Sequence, residues 1–287
     1  MKRLLVLSGK GGTGKTTTAA AFIHFAKAKA VADCDVDAPN LHLVLAQTGQ
    51  SERTDFFGGD KARIDSDLCV GCGICREHCR FQAIEEKNGS YTVNEYACEG
   101  CGVCGYVCPR NAVTLHTDVA GQKDLYVGDG VFSTAALKMG RGNSGKLVTE
   151  VKMAMLKHAP ETPIAIIDGS PGIGCPVIAS VSGVDLVLVV AEPSLSGISD
   201  LKRLVKTAET FQTRLAVCVN KWDVSPENTR AIQSFCEKSQ IPFLGKIPYD
   251  KSASKAVNSG LSIAEVDCPA RDALREIYEA ASNLLEL

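Results

Sequence analysis

The chain has 287 residues, of which 45% are hydrophobic, and a formal net charge of −2 at pH 7. It is long enough to bury a large core, and it lacks the basic excess of nucleic-acid-binding proteins. No run approaches the roughly 18 apolar residues of a membrane span, and the apolar start is too short for a signal peptide. We expect a soluble, cytoplasmic protein that binds neither nucleic acid nor membrane. In such a chain, thirteen cysteines are more typical of metal ligands than of disulfides.

A glycine-rich loop follows the first apolar run and precedes a segment with helical periodicity. Its spacing is G-x-x-x-x-G-K-[ST], in which backbone N–H groups surround phosphate, the lysine reaches the outer phosphates and the hydroxyl binds Mg²⁺. A flexible loop without function would need fewer glycines and neither Lys15 nor Thr16. We therefore predict a site for a nucleoside triphosphate. Its predicted residues are Gly9, Gly11, Gly12, Thr13, Gly14, Lys15, Thr16 and Thr17.

Acidic residues end two of the apolar runs. Asp33, Asp35 and Asp37 alternate after the second run, and an extended segment would send all three toward the glycine loop. A solvated turn is the alternative, because Asp, Pro and Asn are common in turns. Asp168 ends a later run and is followed by a Gly/Pro loop. We predict that Asp168 holds Mg²⁺ through water.

Eight of the cysteines lie between residues 69 and 108 in two runs of identical spacing. Each run has the pattern C-x₂-C-x₂-C-x₃-C, and the second follows the first by 29 positions, which predicts an internal duplication. The pattern is typical of two [4Fe–4S] clusters, with the fourth cysteine of each run crossing to the other cluster. Structural zinc is the alternative, although it usually uses paired C-x₂-C hooks. We assign one cluster to Cys69, Cys72, Cys75 and Cys108, and the other to Cys98, Cys101, Cys104 and Cys79.

Aliphatic runs are sparse around these cysteines, which predicts an insertion. We expect an inserted ferredoxin-like α+β domain at residues 59–117, within a domain formed by residues 1–58 and 118–287. In that larger domain we predict strands at 164–168, 184–190 and 215–219 and helices at 148–157, 199–211 and 226–238. Their alternation indicates a doubly wound α/β fold with a mostly parallel sheet.

Two further segments have alternative interpretations. Residues 140–146 are rich in glycine but lack the G-K-[ST] ending, so we interpret them as a turn or a partner-facing loop. The C-terminal segment has apolar residues at helical spacing, opposite a partly acidic face. We expect it to pack on the sheet and not on lipid.

These motifs together resemble the MinD/ParA/Mrp group of P-loop ATPases, in particular members with an inserted ferredoxin domain. The most specific match is the K-G-G-x-G-K-T form of the loop, which contains a second lysine, Lys10. The segments at residues 33–35, 168–172 and 220–223 also fit, as does Ile247-Pro248-Tyr249-Asp250.

The resemblance implies roles for particular residues. Lys10 would reach across an ATP-dependent dimer to the partner's nucleotide, and Asp35 would orient the attacking water. Thr16 and Asp33 would help hold Mg²⁺. Asn220 would contact adenine, near Pro248 and Tyr249.

Three functions are compatible with these features. The leading one is an ATPase whose nucleotide state, in a homodimer or a heterodimer with a paralogue, controls electron transfer through two [4Fe–4S] clusters to a partner metalloprotein. The first alternative is an iron–sulfur or metallocluster assembly carrier resembling Mrp, and the second is a redox-sensing nucleotide switch. Electron transfer is favoured because four cysteines of the same chain are assigned to each cluster, whereas a carrier needs labile clusters.

The remaining cysteines are scattered. Cys175 lies seven residues after Asp168, the spacing of a cluster-ligating cysteine in the nitrogenase iron protein, which the chain resembles at this point. A buried structural thiol is the alternative. We interpret Cys34, Cys218, Cys236 and Cys268 as small buried hydrophobic residues.

Overall fold

Residues 1–45 and 49–287 are described by a computed structural model, in which the chain divides into two units. The first unit comprises Met1–Thr54, Lys123–Ala136 and Ser144–Leu287, and the second comprises Asp55–Gln122 and Leu137–Asn143. The second unit contains residues 59–117 and takes in a short segment that lies later in the chain. Within the described residues, no helix is long and apolar enough to cross a bilayer.

Strands and helices alternate along most of the first unit. The strands among the described residues are β1 (Lys2–Leu7), β2 (Ala30–Asp33), β3 (Gln50–Ile64), β4 (Ile84–Lys87), β5 (Ser90–Val93), β6 (Val113–Val127), β7 (Val131–Leu137), β8 (Ile164–Asp168), β9 (Leu186–Ala191), β10 (Arg214–Asn220) and β11 (Phe243–Ile247). The helices are α1 (Lys15–Ala26), α2 (Ile74–Glu77), α3 (Val103–Tyr106), α4 (Ser144–His158), α5 (Cys175–Val181), α6 (Leu195–Glu209), α7 (Pro226–Lys238), α8 (Lys251–Asn258) and α9 (Pro269–Leu285). Short 3₁₀ helices occupy Leu41–Leu43, Trp222–Val224 and Ile263–Glu265.

The sheet of the first unit is mostly parallel. Its order is β11-β10-β9-β1-β8-β2-β7, continued by residues 123–127 of β6 and 50–54 of β3. All pairs from β11 to β7 are parallel. The central strands β8 and β9 are buried at every position, which is the pattern of parallel strands covered on both faces. The predicted α/β fold with a mostly parallel sheet is therefore confirmed.

The C-terminal helix α9 contributes to the main core. Its buried residues include Leu274, Ile277, Ala281 and Leu285, which belong to one apolar cluster with α1 and the sheet. The ring of Tyr278 lies edge-on to that of Phe22, with ring centroids 5.3 Å apart. The apolar side of this helix thus packs within the protein, as its spacing predicted.

Some element boundaries differ from the predictions. Helix α4 begins at Ser144 instead of residue 148, so the end of the glycine-rich 140–146 segment forms its first turn. Helix α6 begins at Leu195, because the Ser194 hydroxyl accepts a hydrogen bond from the Gly197 N–H at 3.1 Å. Helix α7 has the predicted bounds. Strand β11 and helix α8 were not predicted.

The second unit contains a short hairpin and two single-turn helices. Strands β4 and β5 are antiparallel. The turn that joins them contains Asn88 and Gly89, whose φ angles are 54° and 78°. Positive φ at both turn residues is typical of the type I′ turn that Asn-Gly favours. Helices α2 and α3 each follow a glycine with positive φ, Gly73 and Gly102.

The backbone of the second unit repeats with the 29-residue offset of the cysteine runs. Gln82 and Asn111 both have positive φ, 52° and 51°. Asp65 N donates to Ala112 O at 2.8 Å, and its counterpart Asn94 N donates to Ala83 O at 2.7 Å. These reciprocal bonds show that the two halves have the same local structure.

Candidate functional site

The glycine-rich loop lies between the end of β1 and the start of α1. Gly12 and Gly14 have φ angles of 79° and 94°, which residues other than glycine rarely adopt. A Cβ atom on Gly14 would also collide with the amide of Asn220. Asn220 donates from Nδ2 to the Thr13 carbonyl oxygen at 2.7 Å, so the end of β10 holds the loop in place.

The Thr13 hydroxyl provides a test of whether this loop fits a phosphate. Thr13 is 2% exposed, and its Oγ1 has no hydrogen-bond partner among the described residues. An unsatisfied buried hydroxyl costs about 1–3 kcal/mol, and phosphate oxygens are the acceptors that such loops bind. The loop therefore fits the phosphates of a nucleotide.

Lys15, Thr16 and Asp168 meet at the carboxyl end of the central strands. Lys15 Nζ lies 2.7 Å from Asp168 Oδ1, and Thr16 Oγ1 donates to Asp168 Oδ2 at 2.7 Å. Lys15 Nζ also lies 3.4 Å from Asp35 Oδ2. Burial opposes the charged ammonium, but the Asp168 and Asp35 carboxylates outweigh it and raise the pKa of Lys15.

The three alternating acids do not lie on one extended segment. Strand β2 ends at Asp33, and the chain then turns. Asp33 and Asp35 are buried, whereas Asp37 is exposed. The expectation that alternation would send all three acids to one side is therefore wrong, because extended backbone does not continue past the strand.

Asp33 is held by the backbone of its own loop. Its carboxylate accepts hydrogen bonds from Asp35 N and Leu41 N, both at 3.1 Å. Burial, with repulsion from Asp168, raises the pKa of Asp33 to about 7. Two buried carboxylates and the Thr16 hydroxyl form the all-oxygen donor set that Mg²⁺ prefers.

The two acidic segments are bonded to each other. Cys34 N donates to Asp168 O at 2.7 Å, and the Ser170 hydroxyl donates to the Cys34 carbonyl oxygen at 2.5 Å. Gly172 N donates to Ser8 O at 3.0 Å. A displacement of either segment would therefore strain the other and the start of the phosphate loop.

A cavity of about 290 Å³ continues from the phosphate loop. It is lined by Gly12, Gly14, Asn220, Pro248 and Tyr249, among others. Tyr249 N donates to the Asp223 carboxylate at 2.8 Å, which fixes the loop after β11. The residues that the resemblance associates with the base thus lie together beside the loop.

Lys10 lies against its own chain. Its Nζ is 2.6 Å from Glu192 Oε2 and 3.4 Å from the Ser196 hydroxyl. Glu192 also lies 3.5 Å from Lys221 Nζ, and the hydrogen bond from Lys10 lowers the pKa of Glu192. Glu192 belongs to Ala191-Glu192-Pro193, a segment that also fits the family resemblance, but the sequence predicts no contact for it.

The eight clustered cysteines surround two cavities in the second unit. One is lined by Cys69, Cys72, Cys75 and Cys108, and the other by Cys79, Cys98, Cys101 and Cys104. Each cavity has three cysteines from one run and the fourth from the other run. These are the two groups assigned from the spacing.

Backbone N–H groups point at some of the sulfur atoms. Ala83 N lies 3.4 Å from Cys79 Sγ, and its counterpart Ala112 N lies 3.3 Å from Cys108 Sγ. Ala62 N lies 3.4 Å from Cys98 Sγ. Within residues 1–45 and 49–287, no group of three or more His, Cys, Asp or Glu side chains is arranged to hold a single metal ion.

The remaining cysteines divide by exposure. Cys34, Cys218, Cys236 and Cys268 are buried, whereas Cys175 is exposed. Burial raises the pKa of Cys218 to about 12 and that of Cys236 to about 11, so these thiols stay protonated. Cys175 begins α5; its exposure contradicts the buried-thiol alternative but identifies no ligand.

Taken together, a mostly parallel sheet, a G-K-T loop after its first strand and acids at two strand ends define a P-loop nucleotide-binding protein. The family described as "CobQ/CobB/MinD/ParA nucleotide binding domain" matches residues 4–263. The chain belongs to this family, and it is a P-loop ATPase of the MinD/ParA type.

Relatives match along nearly the whole chain. An uncharacterized protein of Methanocaldococcus jannaschii is 31% identical over 290 residues, which cover 99% of this chain and 97% of that protein. An iron-sulfur cluster carrier protein of Pyrococcus abyssi is 25% identical over 303 residues, with 99% and 86% covered.

Solved structures share the fold at lower identity. The septum site-determining protein MinD of Pyrococcus horikoshii, complexed with Mg-ADP, has a TM-score of 0.58 and 15% identity and covers 99% of this chain and 97% of its own. The cell division ATPase MinD of Pyrococcus furiosus has a TM-score of 0.57 and 17% identity, with 99% and 100% covered.

Proposed function

We propose that this chain is an ATP-dependent iron–sulfur cluster carrier. In this proposal the first unit binds and hydrolyses ATP with Mg²⁺, and the second unit is a ferredoxin-like domain with two [4Fe–4S] clusters. The observation that carries the proposal is the arrangement of eight cysteines around two cavities, four to each. Relatives named as cluster carriers, matching over 99% of the chain, support it.

The cysteine cavities fit clusters better than single ions. A cubane is larger than one metal ion, so its four ligands surround a volume and do not converge on a point. The N–H groups directed at Cys79, Cys98 and Cys108 supply the hydrogen bonds to sulfur that stabilise clusters and tune them. Bound clusters would supply iron and sulfide for delivery and could also accept single electrons.

In the first unit, Lys15, Thr16 and the buried acids perform separate tasks. Lys15 would exchange its contact with Asp168 for the outer phosphates, and Thr16, Asp33 and Asp168 would hold Mg²⁺. Asp35 would orient the attacking water, since its carboxylate lies 3.4 Å from Lys15 Nζ. Thr13 would donate its unpaired hydroxyl to the nucleotide.

Dimerisation is part of the proposal. Lys10 would leave Glu192 and contact the nucleotide of the neighbouring subunit, which makes hydrolysis depend on a homodimer or a dimer with a paralogue. One solved structure with the same fold is a complex of MinD with MinC from Aquifex aeolicus. By analogy of fold alone, a separate partner would receive the clusters.

Within the first unit, a buried lysine offers a route for coupling. Helix α4 follows directly after Leu137–Asn143 of the second unit. Its Lys152 is buried and donates to the carbonyl oxygens of Ala179, Ser180 and Ser182 at 2.7–2.8 Å. These carbonyls lie at the end of α5, which follows the Asp168 loop. We propose that nucleotide-dependent movement of that loop is transmitted through Lys152 to α4.

Electron transfer to a partner metalloprotein is the second candidate. It is favoured by one observation: each cavity has four cysteines of the same chain, so a cluster there needs no ligand from another molecule. Carrier function has the stronger support, because five relatives are named iron-sulfur cluster carrier proteins.

A transfer experiment distinguishes the two. Protein loaded anaerobically with ⁵⁵Fe and sulfide is mixed with the apo form of a [4Fe–4S] enzyme, with ATP, with ADP or without nucleotide. We expect radioactive iron to move to the acceptor, at a rate that differs between ATP and ADP. Lys15→Ala should remove the nucleotide effect. If the iron stays bound while the reduced protein passes single electrons to an acceptor, the electron-transfer candidate replaces the carrier.

A further inference from the structure

The duplication in the second unit allows the two cysteine sites to be compared position by position. The 29-residue offset pairs Cys69 with Cys98, and it pairs Lys61 and Ala62 with Ser90 and Tyr91. We name the site of Cys69, Cys72, Cys75 and Cys108 site A, and that of Cys79, Cys98, Cys101 and Cys104 site B. Differences between paired positions show where the sites are specialised.

Site B has two polar contacts that site A lacks. Ala62 N lies 3.4 Å from Cys98 Sγ, whereas no hydrogen bond joins Tyr91 N to Cys69 Sγ in the described chain. Lys61 donates from Nζ to the Cys98 carbonyl oxygen and is only 9% exposed. Its counterpart Ser90 is exposed. A buried ammonium and an additional N–H dipole therefore lie beside site B alone.

Lys61 and the Ala62 N–H favour negative charge at site B, whereas two exposed charges favour it at site A. Arg110 lines site A, and Glu99 lines site B, so these two would favour negative charge at site A. Both residues are exposed, and water and salt screen charges at the surface. The charge of Lys61 is screened much less, because its side chain is buried. The buried lysine should therefore determine which of the two sites favours negative charge more strongly.

Reduction adds one negative charge to a cluster, and positive charge and hydrogen bonds to sulfur stabilise that charge. We propose that site B holds the cluster of higher reduction potential and that Lys61 sets this difference. The inference rests on the proposed function, because it requires a cluster at each site. One electron from a one-electron reductant would convert the site B cluster from [4Fe–4S]²⁺ to [4Fe–4S]⁺, while the site A cluster remains [4Fe–4S]²⁺.

The test is a redox titration of the anaerobically loaded full chain with dithionite, followed by EPR. We expect two midpoints in the unsubstituted protein. Cys72→Ser should remove the cluster of site A, and its counterpart Cys101→Ser should remove that of site B. The EPR signal that remains in each variant then identifies the other site. The signal left in Cys72→Ser protein should have the higher midpoint.

Lys61→Met should lower the midpoint of site B and leave that of site A unchanged, and Lys61→Arg should retain the original value. Glu99→Gln and Arg110→Gln are the matched controls, since each removes an exposed charge beside one site. The inference is overturned if the two sites have equal midpoints, if site A has the higher one, or if Lys61→Met leaves the midpoint of site B unchanged.

Iron and sulfide analysis separates this outcome from failure of the proposed function. If the loaded protein contains no cluster, the proposed function is wrong. If it contains two clusters that titrate together, only the present inference is wrong. A Lys61→Met protein that fails to fold would lose iron as well, and Lys61→Gln, which removes the charge but keeps a donor for the Cys98 carbonyl oxygen, would then provide the same test.

Discussion

The two units bring together their predicted ligand-binding residues in different ways. In the first, Lys15, Asp35 and Asp168 come from distant parts of the chain and meet because parallel strands place their carboxyl ends at the same edge of the sheet. In the second, the cysteines lie within 40 residues, and a local duplication arranges them around two cavities. A site of the first kind depends on the whole fold, whereas one of the second kind depends on two short turns.

This difference predicts that nucleotide binding can be lost without loss of the clusters. Lys15→Ala should weaken ATP binding about 100-fold or more, because charge-assisted hydrogen bonds are worth about 1.5–3 kcal/mol each. Isothermal titration calorimetry measures the affinity, and iron and sulfide content should stay unchanged. Unchanged affinity would mean that Lys15 does not contact the phosphates.

The crossed arrangement of the cysteines can be tested by removing one ligand. Cys79→Ser should reduce the iron content by about half, because its site loses one of four ligands, and the EPR signal assigned to site B should disappear. Cys108→Ser is the matched variant and should remove the signal of site A. The reverse pattern would show that each run binds its own cluster without crossing.

The ion pair of Lys10 with Glu192 leads to a kinetic prediction. Lys10→Ala should leave ATP affinity largely intact but slow hydrolysis by about 100-fold, the magnitude typical of one lost transition-state donor. ATPase assays and light scattering measure turnover and ATP-dependent dimerisation. Lys206→Ala, which removes an exposed lysine of α6, is the control. Normal turnover of the Lys10 variant would exclude a role across the dimer.

A change in the core of the first unit should affect stability and not the two sites. Ile277→Ala removes a side chain of α9 that packs against Gly245 of β11, and we expect a loss of about 2–4 kcal/mol in the free energy of unfolding. Urea denaturation followed by circular dichroism measures it. The exposed neighbour Glu276 provides the control variant Glu276→Ala, which should change stability by less than about 0.5 kcal/mol. Equal losses in both variants would contradict the packing of α9.

Sequence and structure agree best where a motif fixes spacing. The glycine loop, the cysteine runs and the aliphatic strands could be predicted because phosphate binding, cluster ligation and burial each impose a pattern on neighbouring residues. The exposure of Asp37 could not be predicted, because it depends on where β2 ends. The start of α6 was also missed, because the Ser194 cap outweighs its periodicity.

Contacts between distant single residues gave no signal in the sequence. Lys61 and Lys152 donate to carbonyl oxygens 27 to 37 positions away. Glu192 pairs with Lys10, which lies 182 positions away. An isolated charged residue is most often on the surface. Only the structure shows that Lys61 and Lys152 are buried.

We propose that this ATPase carries two iron–sulfur clusters. The decisive measurement is iron and acid-labile sulfide analysis of the anaerobically prepared protein, combined with Mössbauer spectroscopy. We expect about eight iron and eight sulfide per chain, in spectra of [4Fe–4S] clusters. Zinc without sulfide, or iron that is bound outside clusters, would contradict it.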